Sequence, residues 1–309
     1  MHRLLVIVVA PLITLLAPLA NAWDSRRLET PLVINDLIIP YPEFSVFLFP
    51  EQTLSLHFKD SQSGGKFSFN GATGAIGSGA LKAPATPGHY PLEIFSGDDK
   101  QTVLIHLFVK IPASQVNKEG VLNGYRIGHY PDKPLNNNPI YLPPEGFVEV
   151  TEANRNLRVS PNFTLGQFVS KQEQGYPKYI VLKSALLLKL ENILATLNRE
   201  GHSTTALVIM SGYRTPWYNK AIGNVPYSRH TWGGASDLYI DENHDGVMDD
   251  LNGDGKINRA DAQWLAAFIE KMSSRGAFGK RIGGLGIYGS NSAHGPFVHV
   301  DVRGTRARW

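Results

Sequence analysis

The chain contains no cysteine. That absence excludes disulfides, thiolate metal sites and cysteine nucleophiles, so any bound metal must rest on histidines and carboxylates. After residue 22 there is no apolar run long enough to span a bilayer, and no stable membrane span is expected in the mature chain. Charge is sparse. Asp, Glu, Lys and Arg make up 18% of the 309 residues, the net charge is only +3, and no nucleic-acid partner is expected. Apolar residues make up 42%, enough for a real core and about two domains.

The one long apolar stretch is N-terminal. Arg3 gives a short positive start, Leu4 to Ala20 is apolar but broken by Pro11 and Pro18, and Ala20-Asn21-Ala22 has the small-residue form of a cleavage site. Residues 1–22 therefore read as a signal peptide, and a secreted or periplasmic location is expected. The charge is unevenly spread. Residues 241 to 261 hold seven acids against Lys256 and Arg259, so the rest of the chain is mildly basic and suits an anionic polymer such as a bacterial cell wall.

Residues 23–112 carry short β-branched and aromatic runs (PLVIND, SVFLF, LSLHF, KFSFN, YPLEIF, TVLIHLFVKI) separated by turn formers. This predicts a small β-sandwich, with His57 and His106 as packed or surface residues rather than ligands. Residues 113–165, with PDKPLNNNP and YLPPEG, read as an extended connector whose Tyr125, Tyr130 and Tyr141 are available to pack on a neighbour. From residue 166 onward helices and strands mix. Helical spacing runs from Tyr179 to Arg199 and from Ala260 to Met272; strands are predicted at Ala206–Met210, Gly284–Tyr288 and Phe297–Val302. The fold class is α+β, without βαβ regularity.

Two segments carry metal chemistry. SRHTWGGASD (Ser228–Asp237) sets His230 and Asp237 seven positions apart across small residues, and FVHVD adds His299. Two imidazoles and a carboxylate form a three-ligand set for Zn²⁺ that leaves a fourth position for water, the pattern of a hydrolytic rather than a structural site. Strand alternation puts Asp301 on the face of His299, where a carboxylate can hold the second ring nitrogen; Ser228 is placed to do the same for His230. The second segment is DLNGDGKINRAD. Asp250, Asn252, Asp254, Lys256 (through its carbonyl), Asn258 and Asp261 fall at the ligand positions of a Ca²⁺ loop, with Gly255 at the sharp turn. Just upstream, Asp241, Asn243, Asp245 and Asp249 repeat the start of this pattern and suggest a second calcium position. The Ca²⁺ loop, within 241–261, is expected to brace the strand that carries Asp237.

SGYR (Ser211–Arg214), S-x-H-x-x-G-x-A-x-D (Ser228–Asp237) and V-H-x-D (Val298–Asp301), in this order, resemble the zinc D-alanyl-D-alanine carboxypeptidases and their peptidoglycan endopeptidase relatives. The resemblance covers about residues 160 to 309. It implies a hedgehog-like zinc peptidase domain at 166–309, with zinc on His230, Asp237 and His299, and peptidoglycan peptides as substrate. It further implies that Arg214 binds the substrate's carboxylate or polarises the scissile carbonyl. His294 resembles the extra active-site histidine of one carboxypeptidase branch. Other branches place an acid three positions before the last ligand, where this chain has Pro296. For moving the proton His294 is the first choice and Asp301 the second. The competing readings are a non-catalytic wall-binding protein that keeps the fold and a calcium-dependent adhesion module. Neither the choice between D,D and L,D bonds nor the oligomeric state is written in the sequence.

Overall fold

The computed structural model describes residues 23–59, 64–77, 81–97 and 100–309; the expected signal peptide at 1–22 lies outside the described residues. The fold is mixed α+β, with a few helices and several sheets.

The N-terminal part is made of strands. Glu43–Leu48, Thr102–Val109, Gly88–Ser96, Gly65–Phe69 and Ala72–Ala75 form a five-stranded sheet in that spatial order, antiparallel except for the first pair. Leu32–Ile34 stands between Leu37–Ile39 and Leu56–Phe58 in a three-stranded antiparallel sheet. The two-residue period decides what is buried: Val103, Ile105 and Leu107 share one face of their strand, and all are fully buried. On the other face His106 is held from both sides. Its Nε2 lies 3.1 Å from Glu43 Oε1 and its Nδ1 lies 2.9 Å from His89 Nε2. His57 is exposed on its strand.

Residues 113–165 hold more regular structure than their turn formers predict. Gly146–Val150 pairs with both Ile111–Pro112 and Lys178–Ile180, Val121–Leu122 pairs with Tyr125–Arg126, and Arg158–Ser160 pairs with Phe163–Thr164. Strands this short carry no periodic signal; tertiary pairing makes them. Tyr125 is buried and lies 5.8 Å from the Tyr179 ring, while Tyr130 and Tyr141 pack edge-on against Trp232.

Helix α1 (Ser184–Arg199) starts later than the apolar spacing predicts, because Lys178–Ile180 is drawn into the sheet beside Gly146–Val150. Its buried face includes Leu186, Leu187, Leu190, Ile193, Leu194 and Leu197, each of which stabilises the fold by about 1.5–3 kcal/mol through removal from water. Helix α2 is Pro216–Ala221, and α3 is Arg259–Ser274. The C-terminal sheet runs Leu207–Ser211, Ala235–Ile240, Phe297–Asp301, Gly284–Tyr288, Ala307–Arg308, antiparallel except for the last pair, and α3 packs on its two central-to-edge strands Phe297–Asp301 and Gly284–Tyr288. A single apolar core runs from Leu32 through α1 to Val300, and the N-terminal strand Glu43–Leu48 packs on the Arg158–Ser160 strand and on α1.

Candidate metal centre

Asp237 and His299 are direct cross-strand partners at the middle of the C-terminal sheet, and Ser211 pairs with Asp237 on the other side. Opposed residues on antiparallel strands have Cβ atoms about 4.5–5.5 Å apart, so the register alone brings the carboxylate and the imidazole together. His230 comes from a separate 3-10 turn, Arg229–Trp232. That turn ends at Gly233, whose φ is +61°, and a Cβ there would stand 2.1 Å from the Val181 carbonyl oxygen. Only glycine permits this close approach. The glycine carbonyl then accepts from Lys183 N at 3.0 Å, which docks the turn against the start of α1.

The three side chains converge. His230 Nε2 lies 3.1 Å from Asp237 Oδ1 and 3.1 Å from His299 Nδ1, and His299 Nδ1 lies 2.9 Å from Asp237 Oδ1. Among the described residues this is the one group of three or more His, Cys, Asp or Glu whose ligand atoms all fall within 4.8 Å of one another. The outer ring nitrogens fix the tautomers. His230 Nδ1 donates to the Gly212 carbonyl at 2.7 Å, and His299 Nε2 donates to Asp301 Oδ2 at 3.2 Å. When neutral, each ring therefore turns a lone pair inward, next to a carboxylate oxygen. Three acceptors facing one point repel one another unless a cation stands between them, and this donor set fits Zn²⁺. Electrostatics agree. Burial pushes His230 down and keeps it neutral. Burial opposes charge on Asp237, yet His230 and His299 hold its carboxyl far below the usual range. Burial also opposes charge on His299, but Asp237 and Asp301 outweigh it and raise the imidazole, so the pocket attracts positive charge.

Asp301 is fully buried behind His299 rather than in the cleft. Its carboxylate accepts from Gly284 N at 2.9 Å, Arg303 N at 3.0 Å and the Arg303 side chain as well as from His299. With its oxygens so occupied, and its carboxyl held far below the usual range against the pull of burial, Asp301 is built to orient His299. Ser228 does not play that part for His230: its carbonyl accepts from Thr231, and Gly212 holds the ring instead.

Arg214 stands beside the centre. Its Nη2 donates to Asp237 Oδ2, the oxygen turned away from the histidines, and its Nε donates to Ser211 Oγ at 2.8 Å. It lines a cleft of about 1000 Å³ whose floor is His230, Asp237 and His299. His294 lines the same cleft from the segment between the last two long strands. Its Nδ1 donates to the Gly295 carbonyl at 2.8 Å, which leaves Nε2 to accept from Asn291 Nδ2 at 2.8 Å. Arg303, Tyr288 and Trp309 complete one wall. The Trp309 ring lies 5.1 Å from that of His299, and its Nε1 donates to the Tyr288 hydroxyl at 2.6 Å. Sequence spacing offers no sign of the tryptophan, which the parallel pairing of Ala307–Arg308 with Gly284–Leu285 delivers. Arg303 was signalled only by its position two residues after Asp301.

The acidic loop shows its repeat in three dimensions. Asp241 accepts from Asp245 N and Gly246 N, just as Asp250 accepts from Asp254 N and Gly255 N. Asn243 and Asn252 each accept from the amide two residues on, as do Asp245 and Asp254. Asp249 Oδ2 accepts from Glu242 N, and Asp261 accepts from Leu251, Asn252 and Asn258 amides, closing the longer loop onto α3. The Asn258 side chain caps that helix through Ala260 N, and Lys256 is exposed. Backbone amides are the main partners of these carboxylates, with Asn243 Nδ2 also donating to Asp245 Oδ2 at 3.1 Å, and the carboxylates do not gather as tightly as the His230–Asp237–His299 group.

No curated protein matches the chain. A part of the C-terminal half nevertheless matches a known family: the family model described as Peptidase M15 fits residues 161–251, a span that holds Arg214, His230 and Asp237 and ends within the acidic loop.

Proposed function

We propose that the protein is a secreted zinc peptidase that hydrolyses peptide bonds in peptidoglycan stem peptides or crosslinks. One observation carries the reading: three lone-pair atoms, His230 Nε2, Asp237 Oδ1 and His299 Nδ1, face one point on the floor of a cleft. The family match supports it. Zinc held by those three atoms supplies Lewis acidity and makes hydroxide accessible near neutral pH.

The surrounding side chains divide the remaining work. Asp301 and the Gly212 carbonyl hold the two imidazoles in the tautomers that face inward. Arg214 fixes Asp237 through Nη2 and Ser211 through Nε, which leaves Nη1 for a substrate carbonyl or carboxylate. His294 is the proton carrier to the leaving amine, since it lines the cleft and Asp301 does not. In this reading the N-terminal strands form a small sandwich-like unit that sets the cleft on the wall. The longer acidic loop binds a structural Ca²⁺ through Asp250, Asn252, Asp254, Lys256, Asn258 and Asp261, on the strength of its ligand spacing. Secretion rests on the pattern of residues 1–22.

The test is a digest of defined muropeptides by the purified protein, read by mass spectrometry. The zinc-loaded wild type releases peptide fragments, and their masses name the bond. Equal release by wild type and His299→Ala would sink the proposal.

A further inference from the structure

We propose that a side pocket next to the metal centre is an anion subsite in which Lys171 takes a free carboxylate of the substrate peptide. This inference rests on the peptidase reading above. The pocket, about 200 Å³, opens off the main cleft, and Met210, Ala293 and His294 line both. It has room for about one side chain. Among the described residues no Asp or Glu lines it, and Lys171 is its one Lys or Arg.

The backbone that carries Lys171 is fixed beside Arg214. Ser170 and Gln172 on either side are buried. Gln172 Oε1 accepts from Thr215 Oγ1 at 2.6 Å, and the Phe168 carbonyl accepts from Tyr213 N at 2.9 Å. The lysine segment thus runs alongside the turn that supplies Arg214. Arg214 is already balanced by Asp237. Lys171 is exposed at the pocket's rim and makes no hydrogen bond or ion pair with any described residue, so its charge is available. The acidic loop gives Gly246, Val247 and Met248 to the lining, and Asp241 and Asp245 accept from the amides of their own loop rather than from Lys171. A cation with no protein partner, in a small pocket beside a hydrolytic centre, selects for a carboxylate next to the scissile bond.

The test compares two wall peptides that differ only in a free carboxylate or its amide on the residue adjoining the cleaved bond. Wild type is expected to favour the carboxylate form about tenfold in kcat/KM, the size of one charge-assisted contact. Lys171→Met abolishes that preference by slowing the carboxylate form alone, and Lys171→Arg restores it. Zinc content stays unchanged throughout. Equal losses on both peptides, or no loss, overturn the proposal. Should wild type cut neither peptide, the peptidase reading fails. The subsite is then judged by calorimetric titration of the same two peptides: a preference lost in Lys171→Met upholds it, and equal binding overturns it.

Discussion

Asp301 Oδ2 lies 3.2 Å from His299 Nε2, while the opposite nitrogen of the same ring lies 2.9 Å from Asp237 Oδ1. One imidazole is thus held between two carboxylates, Asp237 of the proposed metal set and Asp301 behind the ring. The second carboxylate is itself clamped by Arg303. Replacing Asp301 with Asn keeps the shape but removes the charge that favours the Nε2–H tautomer. Zinc affinity is expected to fall about 10- to 100-fold. Competition with a chelator of known affinity measures it, and unchanged affinity would show that Asp301 does not orient the ligand.

Arg214→Ala separates two roles. The ligand trio keeps its inner contacts, because Arg214 bonds only the outer oxygen of Asp237. Bound zinc is therefore expected to persist while kcat falls about 10²- to 10³-fold, the cost of removing a donor aimed at developing charge. Loss of the metal in this variant would instead assign Arg214 to holding Asp237.

Much of this centre is legible in the sequence, and the reason is local. His230 and Asp237 share one short segment, and His299 and Asp301 share one strand, so spacing and alternation suffice to group them. What is not legible depends on long-range pairing. The Trp309 ring beside His299 follows from a two-residue parallel strand, and Gly212 as the partner of His230 follows from how a turn docks. The fold behaves likewise. Gly284–Tyr288 and α3 fall where periodicity puts them, within a residue or two. The start of α1 does not, because the apolar pattern of Tyr179–Leu182 is the same whether a strand or a helix buries it. Leu122, Tyr125 and Ile127 are core residues in a stretch whose glycines and prolines suggest a connector.

Stability is expected to climb with pH on the alkaline side. Lys189 is buried against the sheet, its Nζ donating to the Asp301 carbonyl at 2.8 Å, and burial pushes its ammonium down to about 8 from the ordinary 10.5. Between those values the unfolded chain binds more protons than the folded one, so stability rises as pH rises through that window. Lys110 and Lys183, also brought to about 8 chiefly by burial, act in the same direction. Melting temperatures between pH 7.5 and 10 are the measurement. Lys189→Met should flatten the climb in part, and an unaltered slope would contradict the assignment.

Calcium makes a separate demand on the acidic loop. Adding Ca²⁺ to the zinc-loaded protein should raise the melting temperature by roughly 5 °C at concentrations about 100-fold above the dissociation constant. Asp250→Ala should remove the effect, since Asp250 organises the turn through Gly253, Asp254 and Gly255 amides. A wild-type melting curve indifferent to Ca²⁺ would show that the amide network stands without an ion.

The central claim is that His230, Asp237 and His299 hold one zinc ion. Elemental analysis of the purified protein tests it most directly, beside the Asp237→Ala and His299→Ala variants. One zinc per wild-type chain, lost in both variants while the far-ultraviolet circular dichroism is retained, is the predicted result. Zinc at the same level in all three proteins, or absent from wild type after zinc is supplied, would contradict it.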